Sequence, residues 1–270
     1  MDTILRKRAL ENKCVNSKIS IITATKNGEH RISHLYESLV QQTCNDFEWV
    51  VIDGLSTDNT VALLRDYSKR SPWVRFVSEA DDGIYSALNK AIKLANGDYY
   101  VVAGDDDIFY VDAIENYRKT ALSTNADVIF SRVVRAGRTI GGFYPRKAWI
   151  GPSRVFAGSH SVGTLIKKSL HERFGTYSLR FPLLADAYFL KKLLRDEGTR
   201  FLQDSFCAGI FSEGGATSVR HLQLLAENWQ IQMLTERFPV LQTFLFFGKT
   251  ILRQSALRAE LSNAAKRARA

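Results

Sequence analysis

The amino-acid sequence predicts an α/β protein, a doubly wound and mostly parallel sheet with helices on its faces, on three observations. Short β-rich runs alternate with amphipathic helical stretches through the first half of the chain. The run Tyr99–Ala103 is apolar almost throughout, the pattern of a parallel strand buried on both faces. Carboxylates collect where such runs stop, Asp53 after the second and Asp105, Asp106 and Asp107 after the fourth. In open α/β sheets ligands sit outside the carboxyl ends of the strands, so these acids mark a candidate site.

The elements follow in order. Ile19–Thr25 reads as the first strand, with Asn27-Gly28 as its turn. Ile32, Leu35, Tyr36, Leu39 and Val40 recur at helical spacing. Phe47–Ile52 is the second strand, ending at Asp53, and the polar loop 54–60 supplies capping residues for a helix through Val61, Leu63 and Leu64. Val74–Val77 is the third strand. Residues 79–107 then give one helix, one turn and one strand. Ile84, Ala87, Leu88, Ala91, Ile92 and Ala95 share a helix face, and Asp81 and Asp82 stand where its N-terminus favours acceptors and negative charge. Asn96-Gly97 predicts a left-handed helix stop. The second half predicts a strand over Asp127–Val133, a turn-rich connection over Gly137–Pro145, a helix that Asp186 opens and a helix over Leu222–Phe238 that Pro239 ends or bends.

Three adjacent aspartates at a strand mouth suit a hard divalent cation. Magnesium takes oxygen ligands and usually uses one or two carboxylates plus substrate phosphates. Without a cation, like-charge repulsion makes such a cluster costly. Asp186 is a carboxylate at the start of an apolar segment that includes Leu184, Ala187, Tyr188 and Leu190, a place where acids rarely stand without a partner or a purpose.

The stretch from Ser78 resembles the family 2 glycosyltransferases, whose GT-A fold carries a pattern close to S-E-x-D-x-G-I-Y-D-A-x-N-K-G-I, then A-x-G-D, then a strand ending in aspartates. Ser78, Glu79, Asp81, Gly83, Ile84, Tyr85, Ala87, Asn89, Lys90, Ile92, Ala95, Gly97 and Asp98 match it. Ser86 replaces an aspartate of the pattern and Ala91 a glycine, and Gly104 takes the first place of the family's D-x-D, whose last aspartate falls on Asp106. Residues 20–27 and 51–60 are similar to the family's opening strand and its D-G-G-S-T-D-G-T turn, with Leu55 in place of a glycine.

The resemblance covers residues 18–220 and implies an inverting transferase that takes a nucleotide-diphosphate sugar, a UDP-sugar above others, with Mg2+ or Mn2+ on Asp106 and Asp107. It implies donor contacts at Thr25, Asp53 (facing the base), Asp81, Asn89, Lys90 and Asp105. His160, in a position similar to the family's H-Q, and Gly214 and Gly215, in a loop like its G-G-x-S, join that set. Asp186 falls on the first aspartate of a segment like A-D-Y-D and inherits the general base. A saccharide or lipid-linked acceptor in bacterial polysaccharide or glycolipid assembly completes the expectation. Two other readings stay open, a non-catalytic nucleotide-sugar-binding scaffold and a nucleotidyltransferase. Asp186 speaks against the first, and the lack of a glycine-rich phosphate loop near the first strand against the second.

Charge is concentrated at the two ends of the sequence. The formal net charge is +9, with five basic residues against two acids in residues 1–18 and six against one in residues 249–270. Three cysteines with no CxxC spacing, Cys14, Cys44 and Cys207, indicate neither a disulfide framework nor a zinc site. These features divide the chain into a basic tail (1–18), a catalytic domain (19–218) and a helical extension (219–270). In the extension, large aromatics beside Lys249, Arg253 and Arg258 suit a helix lying on anionic lipid at the cytoplasmic face of a membrane; packing on the body or on a second copy of the chain is the alternative. The aromatics cluster with aliphatics instead of interleaving with the basic residues, so nucleic acid is not the expected partner.

Overall fold

The structure, a computed structural model, describes residues 18–151, 161–212 and 220–252. Nine strands form one sheet in the order β3-β2-β1-β4-β8-β6-β9-β5, with β7 hydrogen-bonded to β6. The first half is the predicted doubly wound unit. β1 (Ile19–Thr25), β2 (Phe47–Asp53), β3 (Val74–Ser78) and β4 (Tyr99–Val102) are parallel, joined by α1 (Ile32–Val40), α2 (Thr60–Arg70) and α3 (Ile84–Leu94). All four strands therefore end on the same edge. Register brings Thr25 beside Asp53 and Asp53 beside Ser78.

The second half is mixed. β5 (Ile108–Phe109) and α4 (Ala113–Thr124) lead into β6 (Val128–Arg135), whose hairpin partner is β7 (Arg138–Ile140). β8 (Thr164–Lys167) lies antiparallel between β4 and β6. After α5 (Leu170–Phe174) and α6 (Ala185–Leu193), β9 (Phe201–Ile210) pairs parallel to β6 and antiparallel to β5. Two reversals through β8 make β6 and β9 parallel to β4, so their carboxyl ends meet the same edge as the first four strands. Helices α7 (His221–Thr235) and α8 (Pro239–Leu252) follow.

Alternation along the strands divides the core into two layers. Ile19, Ile21 and Val51 pack beneath α1, α2 and α4. Ile22, Val50 and Ile52 pack beneath α3 and α6, and Ile231 of α7 is buried in that same layer. Helix α7 thus shares a core with the sheet.

Local details correct three expectations. Gly97 has no left-handed φ: α3 ends at Leu94, capped by Ala95 in an extended conformation. The glycine is required by crowding, because a Cβ there would lie 2.7 Å from the Lys18 carbonyl oxygen and 2.8 Å from the Ser20 nitrogen. The N-cap of α3 is Gly83, with no side-chain cap, while Asp81 Oδ1 accepts from the Gly83 N–H at 2.9 Å. Asp81 therefore shapes the loop before the helix. The helix predicted over Leu222–Phe238 ends three residues earlier, at Thr235, and Pro239 opens α8, where its fixed φ and missing N–H suit a first turn. Leu55, at a glycine of the family pattern, takes a left-handed conformation, φ 56°.

Candidate active site at the carboxyl ends of the strands

The turns after β1 and β2 are knitted together. Asn27 Oδ1 accepts from the Thr57 N–H at 2.9 Å, and the Gly28 N–H donates to Thr60 Oγ1 at 2.8 Å. Asp58 Oδ1 accepts from the Thr60 N–H at 3.0 Å, the capping role its position suggests. Asp53 is fully buried; Ser78 Oγ donates to its Oδ2 at 2.6 Å, the Ser56 N–H reaches the same oxygen at 3.1 Å, and Ser56 Oγ donates to Oδ1. In this arrangement Asp53 anchors its own turn, and its carboxylate is occupied by the chain. Asp81 lies over that turn, close enough that a Cβ on Gly54 would meet its Oδ2 at 2.6 Å. Lys90 reaches back along α3 to Glu79 at 2.8 Å and to the Ala80 carbonyl at 2.7 Å, fixing the segment before Asp81.

The three adjacent aspartates have three different surroundings. Asp105 receives two bonds from Arg31, Nε to Oδ1 at 2.9 Å and Nη2 to Oδ2 at 2.8 Å, and a third from Thr25 Oγ1 at 2.6 Å. This forked pair neutralises Asp105 and ties β1, α1 and β4 together. Gly28 makes room for it, since a Cβ there would stand 2.6 Å from Asp105 Oδ2.

Asp107 turns inward. It is 1 % exposed and accepts from the Gly104 N–H at 2.7 Å, the Ser212 N–H at 3.1 Å and Ser161 Oγ at 3.3 Å. Burial pushes its pKa up to about 7 against these donors. Asp107, expected among the metal ligands, joins the ends of β4 and β9, with both its oxygens accepting hydrogen bonds inside the protein.

Asp106 differs from both. Among the described residues no donor from another residue reaches its carboxylate, and its pKa is raised by burial and then by the neighbouring Asp105 charge. Only its backbone carbonyl is bound, by Ser212 Oγ at 2.5 Å. A half-buried, unpartnered carboxylate next to a second acid fits a hard cation that takes one protein carboxylate and completes its shell from phosphate and water. No group of three or more His, Cys, Asp or Glu side chains forms a metal cage among the described residues, so such an ion would lean on its substrate.

Asn89, expected at the donor, is bonded to the segment before α6. Its Nδ2 donates to the Tyr177 carbonyl at 2.8 Å and its Oδ1 accepts from the Tyr177 N–H at 2.9 Å. This double clamp holds the segment before α6 against α3 and uses the whole amide. His160, Gly214 and Gly215 lie outside the described residues.

Asp186 occupies the first turn of α6, where negative charge is favoured by the helix dipole. Protein crowds it on several sides, yet it remains open to solvent. Tyr85 Oη donates to its Oδ1 at 2.7 Å, and the Ala187 N–H reaches the same oxygen at 2.7 Å. Oδ2 takes no hydrogen bond from another residue among the described residues. Crowding raises the pKa of Asp186, and the Tyr85 and Ala187 donors oppose that rise by favouring the carboxylate. The Tyr85 phenol is itself held well above its ordinary pKa, by burial first and by the Asp186 charge second, so it stays a donor.

Two groups that hold this carboxylate escaped the sequence reading. Tyr85 lies inside the matched motif, which names it without a role. Glu227, on α7, is 4 % exposed, and its Oε2 accepts from the N–H groups of Leu183 and Leu184 at 2.9 and 3.0 Å. Those donors belong to the N-cap residue of α6 and the residue before it, so Glu227 caps the entry to the helix that carries Asp186. Gln223 Nε2 holds Glu227 Oε1 at 2.9 Å. No local pattern announces a cap supplied from another helix far along the chain.

Comparison with known proteins identifies the family and the fold. The family model for glycosyl transferase family 2 matches residues 20–212. The Bacillus subtilis glycosyltransferase EpsJ is 28% identical over 196 residues, 69% of this chain and 54% of its own length. Escherichia coli chondroitin synthase is 36% identical over 97 residues, 36% of this chain and 14% of that protein. The chain thus spans about half of the first relative and a small part of the second. Among solved structures, the mannosyltransferase PcManGT from Pyrobaculum calidifontis, in complex with GDP-Man and Mn2+, superposes with a TM-score of 0.64 at 18% identity, covering 97% of this chain and 82% of that one. S. aureus TarS 1-349 in complex with UDP-GlcNAc gives 0.62 at 17% identity, over 85% of this chain and 70% of that one. These likenesses are of fold. With most of its length matched by the family model, the chain belongs to glycosyl transferase family 2.

Proposed function

We propose that the protein transfers a sugar from a nucleotide-diphosphate donor, a UDP-sugar above others, to a hydroxyl of a saccharide or lipid-linked acceptor, with inversion at the anomeric carbon. The observation that carries this reading is Asp186: a solvent-open carboxylate with one oxygen fixed by Tyr85 and Ala187 and the other free to take a proton. In a single displacement the acceptor oxygen forms its bond to the anomeric carbon as the bond to the diphosphate breaks. Asp186 Oδ2 receives the acceptor's proton, and the nucleoside diphosphate leaves with the electron pair.

The donor belongs on the edge formed by the ends of β1 to β4. Asp53 and Asp81 frame the place of the base and ribose, and Lys90 keeps the loop before Asp81 in position. Thr25, Arg31 and Asp105 form a rigid, neutral wall beneath the diphosphate. Asp106 would hold Mg2+ or Mn2+, which when bound stabilises the negative charge of the leaving diphosphate. Asn89 and Asp107 support the site from behind.

A panel of nucleotide sugars tests the reading. The expected outcome is that one UDP-sugar raises the unfolding temperature only when Mg2+ or Mn2+ is present, and that the same donor is consumed when an acceptor is added. Protection without consumption, with any acceptor supplied, would favour the sugar-nucleotide-binding scaffold. Absence of protection by every nucleotide sugar would remove the donor assignment.

A further inference from the structure

Helix α8 is apolar on the side that faces away from the body. Val240, Phe244, Phe247 and Ile251, at spacings of i, i+4, i+7 and i+11, form one stripe and are 69 %, 71 %, 57 % and 66 % exposed. Phe238 and Leu252 extend it at the two ends. Aromatic and branched side chains this exposed, in one contiguous stripe, mark a surface that meets something apolar.

The opposite side of α8 is fastened by polar contacts. Gln242 is 3 % exposed; its Nε2 donates to the Trp149 carbonyl at 3.1 Å, and its Oε1 accepts from Gln232 Nε2 at 3.0 Å. Lys249 Nζ donates to the Ile150 carbonyl, and the rings of Phe246 and Trp229 stand 5.5 Å apart. Gln232 in turn accepts from Lys191 of α6, which also pairs with Glu236 at 2.7 Å. Polar anchors on one side and large apolar residues on the other leave the stripe no route into the core.

Charge selects the occupant. Between Arg237 and Leu252 the only charged residues are Arg237 and Lys249, both basic. Residues 253–270 continue with Arg253, Arg258, Lys266, Arg267 and Arg269 against Glu260 alone. An amphipathic helix with an aromatic face and a basic continuation is the composition that buries its face in a bilayer interface while its cations meet anionic head groups. Its length and composition do not span: no described helix is long and apolar enough to cross a membrane. A second copy of this chain would bring a second net-basic stretch, 237–270, alongside the first, which opposes self-association.

We infer that the outer face of α8, Val240–Phe244–Phe247–Ile251, is a docking surface for an anionic lipid membrane. The stripe contains none of the residues assigned to the transfer reaction. Because the anchors of α8 run through Gln232 and Lys191 to α6, docking would also fix the orientation of the Asp186 helix toward the membrane.

The test uses the full chain with vesicles of phosphatidylcholine, alone or mixed with an equal share of phosphatidylglycerol. The wild type is expected to co-sediment with the mixed vesicles, at least tenfold more strongly than with phosphatidylcholine alone, and to be released by salt. The triple variant Phe244→Ser, Phe247→Ser, Ile251→Ser is expected to lose at least tenfold in vesicle partition. It should retain its thermal unfolding temperature and any nucleotide-sugar protection, since these side chains are already in water. Equal binding of variant and wild type would overturn the assignment of this face, and equal binding to both vesicle types would overturn the anionic selectivity. A wild type that ignores the mixed vesicles but sediments as a dimer, with the variant a monomer, would assign the stripe to self-association instead. Failure of nucleotide-sugar protection would count against the transfer reaction and leave this surface untouched.

Discussion

The proposed donor edge and the proposed acceptor side of this molecule are built in opposite ways. On the donor edge, residues close to their strand ends hold one another: Ser56 and Ser78 on Asp53, Thr25 and Arg31 on Asp105. Four consecutive parallel strands deliver these groups to one edge, so the edge follows from local order. On the acceptor side, Asp186 depends on Tyr85 from α3, and its helix is capped by Glu227 from α7. The donor edge should therefore survive changes that disable the acceptor side. In the proposed function, a nucleotide platform built from neighbouring strand ends would work with a base assembled from distant elements.

The largest expected effect separates the two sides directly. Asp186→Asn keeps the shape and removes the proton acceptor, so turnover should fall by about 10²–10⁴-fold. Metal-dependent thermal protection by the donor should remain. Lost protection would mean that the two sides are not independent, and near-normal turnover would place the base elsewhere, with His160 the next candidate.

The reciprocal change is Asp106→Asn. Donor binding measured by titration calorimetry in the presence of Mn2+ should weaken by at least roughly tenfold, the scale of a disturbed metal site. The pKa and bonding of Asp186 should not change. Unaltered affinity would remove Asp106 from the site. Asp107→Asn, by contrast, should act on folding, since Asp107 is bound to Gly104, Ser161 and Ser212 inside the protein.

A pH test sharpens the comparison from the acceptor side. His171 stacks on Phe189 of α6 at 4.3 Å and is held by Tyr100 Oη at 2.7 Å. Burial lowers its pKa to about 4, so the folded state keeps the ring neutral. The unfolded chain protonates it near pH 6.5, and between those values the unfolded state binds the extra proton. Stability from this group is complete above about pH 6.5 and is lost as pH falls toward 4. The full loss is on the order of 3 kcal/mol. Denaturant unfolding at a series of pH values should show that decline, and an NMR titration of His171 should give a pKa well below 6. A value at the ordinary histidine position would show the packing behind α6 to be looser than this arrangement.

The smallest effect concerns the cap. Glu227→Gln leaves one of its two jobs to a neutral amide, and Glu227→Ala leaves the Leu183 and Leu184 N–H groups without an acceptor. The alanine variant should lose about 1–3 kcal/mol of stability in urea unfolding, with the glutamine variant between it and the wild type. Donor protection should persist in both while turnover falls in the alanine variant. A drop in donor binding equal to the drop in turnover would erase the distinction between the two sides.

The sequence by itself determined the parallel half of the fold, because each of its strands, turns and helices is written within a few residues: an apolar run, a turn pair, a periodic face. It also determined the family, through the dense motif around Tyr85 and Asn89, and it singled out Asp186, whose charge contradicts its apolar neighbours. It could not apportion roles among Asp105, Asp106 and Asp107. Adjacent and chemically identical, they are distinguished by partners that arrive mostly from other elements, Thr25 and Arg31 on Asp105 and Ser161 and Ser212 on Asp107. It could not give Asn89 its clamp on Tyr177 or Glu227 its cap, since hydrogen bonds between distant segments leave no periodicity or spacing to read. Gly97 shows the same limit at one residue. Its glycine is legible, but whether it serves a left-handed φ or a close approach was decided by the strand that packs against it. Local interactions act within a few residues and are recorded in the order of the chain, whereas the partners of a buried polar group are chosen by the packing of the whole.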